Sequence, residues 1–198
     1  MSRATPPGTP PWIATVGWQE SSGVLRDAYD WQAASLGEPT EFTMLGSLAP
    51  EVVRLRLELY RTVENVESGL SRLERRIAAY VTSTRNGTPH CSSGLERQLD
   101  DLGLTADVVE RAATTPEQLA SGDARLDAIA AHAAVLAARP WEIDAGDLDG
   151  LRAHGVDDVD LVDLNNIVAY YAYINRVANG LGLFSEIPEA HARGAVPN

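Results

Sequence analysis

The chain contains no lysine: all 16 of its Lys+Arg residues are arginine. It has one cysteine, Cys91, and no uninterrupted apolar run of the ~18–20 residues that a membrane span requires. A single cysteine excludes an intrachain disulfide and any zinc site built from thiolates alone. The basic residues are outnumbered by 28 Asp+Glu, which leaves a formal charge of −12. That balance argues against sequence-independent nucleic-acid binding, which needs a basic footprint, and against docking on an anionic membrane surface. Absent lysine beside abundant Ala and Arg reads as biased genome composition; avoidance of acylation or ubiquitination is the weaker reading. Met1–Pro11 has no apolar signal core, so a cytoplasmic protein with a loose N-terminal tail is expected.

A length of 198 residues predicts one domain. A chain of this size buries roughly 70% of its unfolded surface, so it needs no metal or disulfide for stability. The expected layout is a tail over 1–17, a helical domain over 18–184 and a second tail over 185–198.

The apolar pattern is helical throughout. Helices are predicted from Ser21 to Ser35, from Pro50 to Glu67, and from a Ser71–Glu74 capping box to Thr84. Asn86-Gly87 then marks a turn. Further helices are predicted from Thr88-Pro89 to Leu102, from Thr105 to just before Pro116, and from Asp123 to Arg139. Asp144–His154 and Asp157–Asn179 complete the set. No alternating strand pattern flanked by hairpin signals occurs. The fold class is therefore all-α: a bundle of about eight helices with short connections.

Chemistry concentrates in Leu70–Leu102, which reads as helix, tight turn, helix. With Thr88 as N-cap and Pro89 as the first helical residue, Cys91 falls in the first turn. Backbone amides and the helix dipole favour a thiolate there, and a protonated His90 would add to this. Cys91 is thus a candidate reactive thiol, with a small buried hydrophobe as the alternative. Thr88 is expected to cap the helix through its hydroxyl, a contribution of about 1 kcal/mol.

The other candidates carry less. Asp147-Leu148-Asp149-Gly150 has part of a calcium-loop pattern, but the loop's first and last ligand positions would be Ala145 and Val156. Asp144 and Asp157 read as helix caps. His132, His154 and His191 have no metal-ligand spacing. The tryptophans, Trp12, Trp18, Trp31 and Trp141, are scattered and read as anchors. Neither cofactor nor metal is expected.

The helix–Asn-Gly–Cys–helix segment resembles the alkylhydroperoxidase D / carboxymuconolactone decarboxylase family, in its peroxidase-related branch. Pro50-Glu51 with its amphipathic helix is similar to the element preceding the site in that branch. Val168–Ala178, with Asn175-Arg176, is similar to the closing helix. The resemblance spans about residues 18–184. It implies a homodimer or a hexamer built as a trimer of dimers. In redox-active members of the family a Cys-x-x-Cys pair reduces hydroperoxides with help from a Glu and a His. Only Cys91 matches: the first cysteine falls on Thr88, the Glu on Arg76 and the His on Leu95. Tyr80 lies four residues beyond Arg76 on the same helix face, as a pocket residue or as packing. The resemblance therefore implies at most a one-cysteine thiol peroxidase. In that cycle Cys91 forms a sulfenic acid and an external thiol reductant resolves it. Arg76, if it reaches the sulfur, would lower the thiol pKa. The alternatives are a non-catalytic binding module or companion subunit and, more weakly, a decarboxylase-type enzyme.

Overall fold

The computed structural model describes residues 4–188. Among them nine α-helices form: α1 Gly23–Leu36, α2 Glu41–Leu45, α3 Pro50–Glu64, α4 Arg72–Arg85, α5 Pro89–Asp101, α6 Ala106–Thr114, α7 Ala124–Ala138, α8 Ala145–Ala153 and α9 Asp158–Leu181. No strand is present among the described residues beyond a single bridge between Thr5 and Ser185. The fold is all-α, as the periodicity predicts. The eight expected helices are all there, and the ninth, α2, is too short to leave a periodic signature. No described helix is long and apolar enough to cross a membrane.

Helix α4 is the axis of the bundle. Its Ser71–Glu74 capping box forms with both reciprocal bonds. Every residue from Glu74 to Ser83 is buried, and α5, α6, α7 and α9 pack around it. Small residues make this possible: Ala78 and Ala79 are fully enclosed, and Ala130 and Ala133 of α7 let that helix approach closely. A helix buried all round that carries two arginines must pair them. Arg75 reaches Asp163 at 2.6 Å and donates to the carbonyls of Val63 and Val66. Arg76 forms a bidentate pair with Glu64 of α3. At the start of α4, Glu74 accepts from Arg125, which also holds Asp160. Asn175 exchanges hydrogen bonds with Ser83, and Asn179 donates to the carbonyl of Asn86 at 2.9 Å, fixing α9 along α4.

A second apolar cluster joins α1 to α3 through Leu25, Ala28, Tyr29, Val53 and Leu57. The N-terminal stretch, expected as a loose tail, is instead tied down where it is described. Thr5 pairs with Phe184 and Glu186, the Trp12 amide donates to Leu181, and the Val16 amide donates to Ser47. Gly182 has φ +81°, and a Cβ there would run into the Trp12 indole. The expected C-terminal tail is ordered over residues 185–188; its remainder, with His191, lies outside the described residues.

Candidate functional site

Cys91 occupies the third position of α5, behind Thr88 and Pro89, where the sequence pattern puts it. The first turn of α5 abuts a cavity of about 140 Å³, open to one side and lined by α1, α2, α3, α5, α9 and the segment after α9. Its walls are largely aromatic and aliphatic: Trp31, Phe42, Leu57, Tyr60, Leu95, Tyr170, Tyr171 and Ile174. Tyr60 and Tyr170 stack at 5.5 Å, and Tyr171 meets Tyr170 edge-on. The polar groups on the wall include Arg56, Glu41, Gln32 and His90.

Burial governs the thiol. Cys91 is 6% exposed, and removal from water pushes its pKa up to about 12, with the charge of Arg56 opposing the rise. The helix-dipole argument, which favours a thiolate, is outweighed by desolvation. The Cys91 thiol is therefore protonated at neutral pH.

His90 is 2% exposed and turns toward the C-terminal segment. Its Nδ1–H donates to the Ser185 carbonyl at 2.7 Å, and the Glu41 carboxylate lies 3.8 Å from the same nitrogen. Glu41 also accepts from the Ser185 hydroxyl at 2.6 Å. His90 thus anchors the segment that carries Ile187 and Pro188 onto the cavity wall. Ser93 and Arg97, further along α5, hold the Ile187 amide and carbonyl.

Of the six residues singled out in the sequence, Cys91, His90 and Leu95 line the cavity, and Arg76, Tyr80 and Thr88 do not. Arg76 faces α3, where Glu64 takes its charge; the cation that acts on the sulfur is Arg56. Burial alone would lower the Arg76 pKa, but Tyr171 and Glu64 outweigh that and hold it cationic. Tyr80 is buried with its pKa raised to about 12, by desolvation and then by Glu96 and Asp100, so it serves packing between α4 and α5. Thr88 makes no cap: its hydroxyl is buried with no hydrogen-bond partner. The backbone explains this, since ψ is 87° at Thr88 against 161° at the capping Ser71.

The residues that sequence reasoning missed are Arg56, Glu41, Tyr60, Tyr170 and Tyr171. Arg56 did leave a signal. It lies between Val53, Leu57 and Tyr60 on the inward stripe of α3, a position at which a cation calls for a reason. Among the described residues, no three His, Cys, Asp or Glu side chains come together in a way that would hold a metal.

No protein-family model matches the chain, and no curated protein matches it either. Solved structures do. An uncharacterized peroxidase-related protein from Silicibacter sp. TM1040 superposes with a TM-score of 0.76 at 23% identity, over 97% of this chain and 98% of that one. The alkylhydroperoxidase D core of an uncharacterized peroxidase-related protein from Ralstonia eutropha JMP134 gives 0.79 at 19% identity, over 95% and 97%.

The chain has the alkylhydroperoxidase D-like fold. It shares this fold with a cysteine-to-alanine variant of the debrominase Bmp8 in complex with 2,3,4-tribromopyrrole (TM-score 0.70, 15% identity, 90% of this chain and 92% of that one). Within the alkylhydroperoxidase D-like fold, this chain's thiol lies at the junction of α5 with an aromatic cavity.

Proposed function

We propose that this protein is a small-molecule binder built on the alkylhydroperoxidase D-like fold, with the α1–α3–α5–α9 cavity as its site. Its ligand is flat, mainly apolar and of about one or two rings, because the walls are aromatic and the space is well below the ~300–1,000 Å³ of drug-sized pockets. The observation that carries this reading is Cys91: the only sulfur of a redox pair is present, it borders the cavity, and it is protonated. A protonated thiol without a resolving cysteine is poorly suited to two-electron reduction of a hydroperoxide. The proposed setting is the cytoplasm, where a lone thiol stays reduced.

A one-thiol peroxidase is the second reading, favoured by the charge of Arg56, which lowers the thiol pKa against the effect of burial. In that cycle the thiolate attacks the hydroperoxide, and the alkoxide leaves and takes a proton from solvent; an external thiol converts the sulfenic acid to a mixed disulfide and water, and a second thiol displaces Cys91 and leaves with the first as a disulfide. Hydroperoxide consumption with dithiothreitol, measured on the native chain and on Cys91→Ser, separates the two. Equal and negligible rates are expected, with naphthalene quenching the fluorescence of Trp31 in both proteins. A cysteine-dependent rate would establish the second reading instead.

We further propose that a second copy of the chain covers the exposed apolar stripe of α3 and α9. Leu48, Val52, Leu55 and Leu59 recur at heptad-like spacing along or just before α3, and Val159, Val162 and Tyr173 lie on the open side of α9. Leu48, Val52 and Tyr173 line a single groove, so the two helices contribute to one surface.

A further inference from the structure

Arg56 is the one arginine that lines the cavity, and no carboxylate lies within ion-pair distance of it among the described residues. This is unusual in a chain whose acidic residues outnumber its arginines so heavily and whose other inward-facing arginines, Arg75 and Arg76, are both paired. The partners of Arg56 are neutral. One terminal nitrogen donates to the Thr43 hydroxyl at 2.7 Å, the other reaches the Tyr170 hydroxyl at 3.5 Å, and the guanidinium lies 4.9 Å from the centre of the Phe42 ring. A guanidinium has five N–H donors, so most of its fork remains uncommitted. The half-buried cation is held over an aromatic face, beside hydroxyls and the Cys91 thiol, on a mostly apolar wall whose other polar groups include Gln32, Glu41 and His90.

We propose that the cavity ligand is an aromatic carboxylate, with its ring against Tyr60, Tyr170 and Leu95 and its carboxylate on Arg56. This rests on the binding reading above and names the ligand class for that same site. A carboxylate matches the planar fork of a guanidinium in two parallel hydrogen bonds. The carboxylate also supplies the counter-charge that the half-buried Arg56 has no ion-pair partner for among the described residues. The Tyr170 hydroxyl, which accepts from Arg56, has its own proton to donate to a carboxylate lone pair that the fork leaves open.

The test is calorimetric titration of the full chain with 1-naphthoate, 1-naphthamide and naphthalene. Naphthoate is expected to bind at least tenfold more tightly than the amide, and Arg56→Gln is expected to abolish that preference while retaining naphthalene binding. If the acid and amide bind equally, or if a folded Arg56→Gln keeps the preference, the carboxylate assignment is overturned and the apolar site stands. If none of the three binds, both are overturned. Leu95→Trp, which fills the cavity beside Cys91, should remove binding of all three; retention of naphthoate binding in that variant would place the ligand elsewhere and overturn the assignment. Should Arg56→Gln not fold, the acid-to-amide ratio of the native chain decides the matter together with Leu95→Trp.

Discussion

At the scale of single residues, burial decides what the site is able to do. The Cys91 thiol is held protonated up to about pH 12 in the folded chain. An unfolded cysteine ionises near pH ~8.5. Alkylation by iodoacetamide at pH 8 is therefore expected to run more than about a hundredfold slower on the native protein than on the urea-unfolded one. Because the folded state binds this proton more tightly, the associated stability is complete below about pH 8.5 and is lost as pH rises toward 12. Denaturant titrations from pH 8 to 11 should show a decline that Cys91→Ala makes shallower. Tyr170, whose pKa is raised to about 12 mainly by desolvation, adds to the same decline. Thr88 offers a second check. Its hydroxyl is buried without a partner, so Thr88→Val is expected to be neutral or slightly stabilising in urea, whereas loss of a true cap would cost about 1 kcal/mol. The sequence located Cys91 and His90 because their place in a helix start is a local matter. It missed the pairing of Arg76 with Glu64 and the role of Arg56 because those depend on how α3 packs against α4 and α9, which no local pattern records.

At the scale of elements, α4 concentrates the risk. Its ten consecutive buried residues include two arginines, each neutralised by a carboxylate from another helix. Asp163 is fully enclosed and its pKa is raised by desolvation, with Ser68 and Arg75 pulling it back. Removing it strands the Arg75 charge in the interior, so Asp163→Ala is expected to cost about 3–5 kcal/mol in urea denaturation. The helices themselves were legible: periodicity, the Ser71–Glu74 box and the caps at Asp144 and Asp157 are all local signals. Helix α2 was not, since its five residues fall short of two turns.

At the scale of the whole molecule, the exposed stripe on α3 and α9 is where an assembly would be decided. Leu55 is 52% exposed in the isolated chain, so Leu55→Glu should leave the fold intact by circular dichroism. In analytical ultracentrifugation the variant is expected to sediment as a monomer where the native chain sediments as a dimer. A native monomer would mean that the stripe is open in solution.

The bridge between Thr5 and Ser185 also makes one side of the cavity depend on both flanks of the helical bundle. One wall of the cavity, Ile187 and Pro188, belongs to the segment that this bridge and His90 secure. A chain cut before residue 185 would keep the caps of its helices but lose that wall of the cavity.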